Sequence, residues 1–229
     1  LSAILSMLVV YLFRKYFLRR KALLIPVSVI LALYAALLTY LATERVALWE
    51  DSGKLWTDAI IKYPHDHHAY FLRGDHWAMT GDFEKAKFDY SQAIRLNASA
   101  YKAINNIGLI YMEEGELRYA ISEFERAIGI SPDFYKPYLN RGIAYMRIGM
   151  NEKALEDMDM AAALNPAEPL VYYNRGLIFE RKTELNRAVE ELTTAIKLAP
   201  SVALFYKERG KVYIWMQQHR LAELDYSKA

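Results

Sequence analysis

Apolar and small residues recur at three- and four-residue spacing through most of the chain after residue 50, with polar residues between them. This spacing places the apolar side chains on one face of an α-helix. Residues that favour turns interrupt the pattern at regular positions, as at Gly81-Asp82, Gly115, Gly149 and Thr183. The pattern therefore predicts helical hairpins, each made of a first helix, a short turn and a second helix.

The hairpin pattern repeats with a fixed period. A glycine in the first helix returns every 34 residues, and an aromatic residue stands three positions after each of these glycines. The glycines are Gly74, Gly108, Gly142, Gly176 and Gly210. A fixed period of this length is typical of a solenoid, in which each hairpin leaves an apolar face that its neighbour covers.

We expect each glycine to lie where the two helices of its hairpin come closest, because a missing side chain permits close approach. An alanine twelve positions later would supply the facing small surface. These alanines are Ala86, Ala120, Ala154, Ala188 and Ala222.

The register divides the chain from residue 67 into four complete repeats and a fifth, incomplete one. They are 67–100, 101–134, 135–168, 169–202 and 203–229. The segment 43–66 keeps the same register, since Pro64 lies two periods before Pro132. We therefore interpret 43–66 as a junction and half repeat, in which Asp51–Tyr63 is a second helix.

With this period and these glycines and alanines, the chain resembles the tetratricopeptide repeat family over residues 51–229. Departures such as Met158, Leu192 and Thr183 fall where packing tolerates substitution. The resemblance implies an all-α superhelical solenoid of five repeats plus a half repeat. It also implies a concave face, lined by the first helices, that binds protein or peptide partners.

Two apolar segments precede the repeats. Residues 22–42 contain no charge and are long enough to cross a bilayer as a helix, so we expect one complete transmembrane helix there. A helix buried in a protein core is the alternative. Residues 1–13 are too short to cross and are interpreted as the end of another membrane helix, with a signal-peptide core as the alternative.

Five basic residues lie in segment 14–21, between the two apolar segments. The positive-inside rule places such a loop in the cytoplasm and the repeats on the non-cytoplasmic side. The prediction is therefore an integral membrane protein, with its repeats in the periplasm of a bacterium or in the endoplasmic reticulum lumen of a eukaryote.

Charge and composition exclude several classes of function. Residues 1–42 contain no acidic residue, so the remaining 24 basic and 27 acidic residues give the rest of the chain a net charge of −3. An acidic repeat region argues against nucleic acid as a partner. The sequence has no cysteine, phosphate-binding loop, nucleophile elbow or zinc-protease signature. We therefore predict no catalytic residue, cofactor or metal, and interpret the histidines at 65–68 as part of a polar turn.

The first helices supply the candidate binding residues. Asn106, Asn140 and Asn174 stand two residues before the glycine in consecutive repeats, and resemble the asparagine ladder of the O-linked N-acetylglucosamine transferase solenoid. A side-chain amide both donates and accepts hydrogen bonds, so it can bind a peptide backbone; linking adjacent helices is the alternative role. The other predicted contacts share the same face. They are Lys102, Lys136, Tyr173 and Lys207.

These features predict a membrane-anchored scaffold that binds protein or peptide partners, or a subunit of a larger membrane complex. The alternative is the C-terminal part of a polytopic glycosyltransferase whose catalytic part lies upstream. Residues 22–66, with Trp49, Trp56 and Tyr63-Pro64, resemble the junction between membrane helices and repeats in the transmembrane-and-tetratricopeptide O-mannosyltransferases and their bacterial look-alikes.

Overall fold

A computed structural model describes residues 7, 9–12, 14–15, 29–40 and 52–229. The chain divides into two compact units, Leu1–Asp58 and Ala59–Ala229. From residue 52 onward the described chain consists of α-helices joined by short turns. These helices are α1 (Ser52–Lys62), α2 (His67–Thr80), α3 (Phe83–Leu96), α4 (Tyr101–Glu113), α5 (Leu117–Ile130), α6 (Tyr135–Arg147), α7 (Asn151–Leu164), α8 (Pro169–Arg181), α9 (Leu185–Leu198), α10 (Ala203–Trp215) and α11 (His219–Tyr226).

The first unit corrects the predicted localisation. Within the predicted span 22–42 the structure describes residues 29–40, which are helical. Nowhere in the described residues is a helix both long enough and apolar enough to cross a membrane. The prediction of an integral membrane protein is therefore wrong, and transmembrane helices before the repeats are not supported. Most of segments 1–13 and 14–21, and all of 43–51, lie outside the described residues.

The second unit is a row of helical hairpins. The first helices α2, α4, α6, α8 and α10 each pack against the second helix that follows them, and each second helix packs against the first helix of the next hairpin. Neighbouring first helices also touch, as α4 with α6 and α6 with α8. The prediction of an all-α solenoid is confirmed, and the contact between first helices places their side chains on one shared face.

The turns within the hairpins share one backbone conformation. Gly81, Gly115 and Gly149 have φ values of 82°, 81° and 82°, in the left-handed region that glycine adopts without steric cost. Thr183 and Gln217 take the same place in the last two hairpins with φ of 60°. Thr183 is therefore a turn residue, as predicted, and Asp82 caps α3 by accepting from the Lys85 amide.

The atoms nearest the glycine of each first helix belong to a large side chain, while the predicted alanine contributes its carbonyl oxygen at Gly142 and Gly176. A Cβ atom added at Gly108 would lie 2.6 Å from Cε1 of Phe124, and one at Gly142 would lie 2.9 Å from Cε of Met158. The same contact, sixteen residues along the chain, recurs in every hairpin. The facing side chains are Tyr90, Phe124, Met158, Leu192 and Tyr226. The alanines are buried beside this contact, so the glycine makes room for a bulky neighbour within the hairpin.

An ion pair lies next to each crossing in four hairpins. Arg141, which precedes Gly142, donates from Nε and Nη2 to the two carboxylate oxygens of Asp157 at 2.9 and 2.7 Å. Arg73–Asp89 and Arg209–Asp225 have the same two-bond geometry. Burial raises the pKa of Asp157, and Arg141 offsets this in part. Two parallel bonds of this kind fix the direction of both side chains.

The fourth hairpin departs from this geometry because its acid is one methylene longer. Arg175 contacts Glu191 through Nη2 at 3.0 Å, while its buried Nε has no hydrogen-bond partner among the described residues. A buried donor without a partner costs stability.

We expect alanine to destabilise the fold more at position 108 than at position 142. An added Cβ at 108 meets ring atoms of the rigid, fully buried Phe124 at 2.6 and 2.8 Å. At 142 the one atom nearer than 3.0 Å is the flexible Met158 methyl group, and the Ala154 carbonyl oxygen follows at 3.2 Å. Gly108→Ala should cost about 1–3 kcal/mol through overpacking, and Gly142→Ala clearly less. Gly129→Ala is the control, since no atom lies within 4 Å of its added Cβ, and helix propensity should make it stabilising by about 0.5–1 kcal/mol. Urea denaturation measures all three, and equal losses at 108 and 142 would contradict the packing account.

We expect Glu191→Asp to stabilise the protein. An aspartate at this position can accept from both Nε and Nη2 of Arg175, as in the other three pairs, and the gain should be about 1 kcal/mol. The exposed Glu190→Asp is the matched control. A melting temperature that falls for Glu191→Asp, or moves only as far as that of the control, would show that the unpaired Nε carries no cost.

Candidate functional site

The face shared by α2, α4, α6, α8 and α10, which we call the first-helix face, holds a chain of polar side chains across the first three repeats. The Tyr90 hydroxyl donates to Asp75 Oδ1 at 2.7 Å, and Asn106 Nδ2 donates to the same oxygen at 3.0 Å. Burial and the neighbouring Asp75 raise the pKa of Tyr90, so the hydroxyl stays protonated and remains a donor. These bonds hold one carboxylate oxygen of Asp75 and leave the other oriented but without a described partner.

The chain of hydrogen bonds continues into the third repeat through a buried amide. Asn105, only 2% exposed, donates to Asn106 Oδ1 at 3.2 Å and accepts from Asn140 Nδ2 at 3.0 Å. Two of the predicted asparagines, Asn106 and Asn140, are thus linked through Asn105, which was not among those predicted. Asn140 ends the chain, and its Oδ1 accepts no hydrogen bond from a described residue.

Asn174 is not part of this chain. It is buried, and its Nδ2 donates to the Leu170 carbonyl in its own helix at 2.7 Å. The three asparagines share a sequence position but not an environment, because the preceding repeat offers Asn105 to Asn140 and Leu139 to Asn174. The structure therefore does not form a continuous ladder of three equivalent amides.

The remaining predicted contacts lie at separate places on the first helices. Lys136 and Lys207 are exposed. Lys102 lines a cavity of about 210 Å³ beside His68, Phe71 and Tyr101. The Tyr173 ring packs 5.1 Å from that of Phe205, and burial raises the pKa of its hydroxyl.

A second cavity, of about 400 Å³, opens between α2 and α4. Apolar side chains such as Met79 and Leu109 line it together with the carboxylates of Asp75 and Glu113. Sequence reasoning had not singled out Tyr90. A signal for Tyr90 was present, because it carries a hydroxyl where Phe124, Met158 and Leu192 are apolar.

A further polar contact between first helices lies at the far end of the row. Lys211 Nζ contacts Glu180 Oε1 at 2.7 Å, and Glu180 is only 5% exposed. This carboxylate raises the pKa of Lys211. In the described residues no group of three or more acidic or histidine side chains is placed to hold a metal ion, so the chemistry of this face is that of hydrogen bonds, ion pairs and apolar contact.

We expect Asn105→Ala to destabilise the protein by about 1–3 kcal/mol, because it leaves the amides of Asn106 and Asn140 without a shared partner in a buried place. The exposed Asn186→Ala on α9 is the matched control and should change little. Urea denaturation of both variants makes the comparison. Equal midpoints would mean that the amide chain does not stabilise the packing of the first three repeats.

Comparison with known proteins agrees with this architecture. Family models described as tetratricopeptide repeat match residues 67–99 and 139–203, and one described as TPR repeat matches 108–149. None of the curated proteins matches the chain.

Solved structures show the same fold at low sequence identity. MamA has a TM-score of 0.60 at 23% identity and covers 68% of this chain and 91% of its own. YrrB, described as a TPR protein with an unusual peptide-binding site, has a TM-score of 0.59 at 20% identity, with 76% and 89% covered. PilF of Pseudomonas aeruginosa has a TM-score of 0.67 at 20% identity, with 71% and 74% covered. With more than half of the chain matched by its repeat models, this protein belongs to the tetratricopeptide repeat family.

Proposed function

We propose that the protein is a scaffold whose first-helix face binds a peptide segment of a protein partner, as a module in the assembly of a larger complex. The observation that carries this proposal is the position of Asn140. Its amide is held by Asn105, while its Oδ1 and second N–H have no described partner. A fixed amide with an unused donor and acceptor suits a peptide group, whatever the side chains of the peptide are.

The surroundings of Asn140 supply the other contacts that a peptide needs. Lys102 and Lys136 are exposed near the starts of α4 and α6 and can meet acidic groups. Leu170 and Leu204, 44% exposed each, hold the corresponding positions in α8 and α10 and offer apolar contact. Tyr173 and Lys207 lie one turn further along the same two helices. Mixed apolar and charged positions along adjacent helices favour an extended or helical peptide.

Each of the three asparagines then has its own proposed part. Asn140 binds the peptide backbone directly. Asn106 is already engaged with Asp75 and Tyr90, so it acts mainly by holding Asp75 in place. Asn174 is buried against its own helix and contributes least.

The glycosyltransferase alternative is not proposed. It depends on the junction at residues 22–66, whereas the family models match repeats from residue 67 onward, and neither they nor the solved structures support a transferase. The repeat residues contain the polar contacts described above and require no catalytic role for the proposed binding.

We expect Asn140→Ala to weaken peptide binding while the chain stays folded, although the buried Oδ1 of Asn105 loses its donor and stability should fall by about 1 kcal/mol. Peptides selected from a random twelve-residue phage-displayed library on the full chain supply the probes, and isothermal titration gives their dissociation constants. Loss of one or two hydrogen bonds should weaken binding about 3- to 30-fold. Asn186→Ala, the exposed asparagine on α9, is the control.

Two results would contradict the proposal. Failure of the library to yield any peptide that binds the folded chain would argue against a peptide-binding scaffold. Selected peptides that bind Asn140→Ala and Asn186→Ala equally well, with both variants fully folded, would remove Asn140 from the binding face.

A further inference from the structure

We infer that the cavity between α2 and α4 binds an arginine side chain of the partner peptide. The inference deepens the proposed function and rests on it. The observations that carry it are the polar contacts at the junctions between successive first helices, which can be compared because every junction has the same register.

At the second junction, between α4 and α6, and at the third, between α6 and α8, an exposed arginine of the following helix donates to the preceding first helix. Arg147 Nη1 donates to the Met112 carbonyl at 3.2 Å, and Arg181 Nη1 donates to the Met146 carbonyl at 2.8 Å. Each of these carbonyls also accepts from the turn glycine, Gly115 or Gly149. One backbone oxygen therefore binds two donors, and the second is a guanidinium.

At the fourth junction the acceptor is a side chain, but the following helix again supplies the cation. Lys211 of α10 contacts the buried Glu180 of α8 at 2.7 Å. At three successive junctions, a basic side chain of the following helix thus contacts an acceptor on the preceding first helix.

The first junction, between α2 and α4, lacks this cation. The position of Arg147 and Arg181 is occupied by Glu113, and the position of Lys211 is occupied by Leu109. The acceptor is still present, since the Ala78 carbonyl accepts from Gly81 at 3.2 Å in the same way as its counterparts accept from theirs. In the described structure no arginine or lysine donates to it, and the cavity of about 400 Å³ opens at this place.

The charges of the cavity are complementary to a guanidinium. Both hydrogen bonds to Asp75 go to Oδ1, so Oδ2 remains as an acceptor of fixed direction. Neither Asp75 nor Glu113 forms an ion pair with a described residue, and the cavity has no basic residue in its lining. A carbonyl and two carboxylates can together receive several of the five N–H groups of arginine.

The apolar walls suit the stem of the same side chain. Met79 is 89% exposed at the mouth of the cavity, and Leu109 and Phe83 line its wall. An arginine or lysine buries its methylene groups against such a surface while its charged head reaches polar acceptors. The fork of donors favours arginine over lysine, whose ammonium is a compact point charge.

The test uses arginine and citrulline, which have nearly the same shape but differ in charge. Peptides selected on the full chain from the random library are synthesised with each arginine replaced in turn by citrulline, and titrated against the wild type, Glu113→Gln and Glu113→Arg. The expected result is one arginine whose replacement weakens binding to the wild type at least tenfold. For Glu113→Gln this ratio should fall severalfold, because one of the two carboxylates is lost.

Glu113→Arg should remove the preference for arginine altogether. The new side chain can donate to the Ala78 carbonyl as Arg147 and Arg181 do to theirs, so it closes the cavity from within. The melting temperature is expected to stay unchanged or to rise. Glu190→Gln, an exposed carboxylate on α9, is the control and should leave every ratio unchanged.

The outcomes separate this inference from the function on which it rests. An unchanged arginine-to-citrulline ratio in both Glu113 variants, or selected peptides that bind through Asn140 without any arginine preference, would overturn the arginine site alone. Tighter binding of a peptide in which lysine replaces that arginine would overturn the assignment to a guanidinium. The absence of any bound peptide would instead overturn the scaffold function.

Discussion

Each hairpin depends on the crossing of its two helices at a glycine. With no Cβ at this point, the first helix can lie directly against a large side chain sixteen residues further on, and in four hairpins an arginine beside the glycine pairs with an acid of the second helix. The apolar contact sets how closely the helices approach, and the ion pair restricts how they rotate about the contact. Stacking then follows, because the hairpins present equivalent faces to their neighbours.

Because the hairpins share one geometry, each serves as a reference for the others. Glu191 stands where three hairpins have aspartate, and a buried nitrogen of Arg175 loses its partner. Ile107 stands where four hairpins have arginine, and the second hairpin has no such ion pair among the described residues. Differences of this kind cannot be required by the fold, since neighbouring repeats manage without them. They are therefore the places where function is to be sought.

The all-α solenoid was predictable because a period of 34 residues survives substitution at single positions. The side chain that faces each glycine was not predictable, because periodicity gives the spacing of residues but not the direction of their side chains. Periodicity also placed Asn106, Asn140 and Asn174 at one repeat position without showing their surroundings. The environment of each amide depends on the preceding repeat, which offers Asn105 in one case and Leu139 in another.

The membrane prediction failed at a different step. Hydropathy counts the apolar residues in a segment, whereas crossing a bilayer also requires a continuous helix of sufficient length. No helix among the described residues is both long enough and apolar enough for this. The count of uncharged residues over 22–42 was correct, but it did not by itself establish the span.

The cation missing from the first junction has a consequence for the specificity of the whole face. In the proposed function, Asn140 offers hydrogen bonds that any peptide group can satisfy, so it contributes affinity but cannot select a sequence. Selection requires a site that loses free energy when the wrong side chain is present, because buried or oriented polar groups are then left without partners. Asp75 meets this condition, since Tyr90 and Asn106 fix its direction regardless of the ligand. A peptide without a cation at this place would desolvate the carboxylates without forming a hydrogen bond or ion pair with them. The two proposed roles, affinity and selection, are therefore assigned to the two ends of one hydrogen-bond chain, with the amide of Asn140 at one end and the carboxylate of Asp75 at the other.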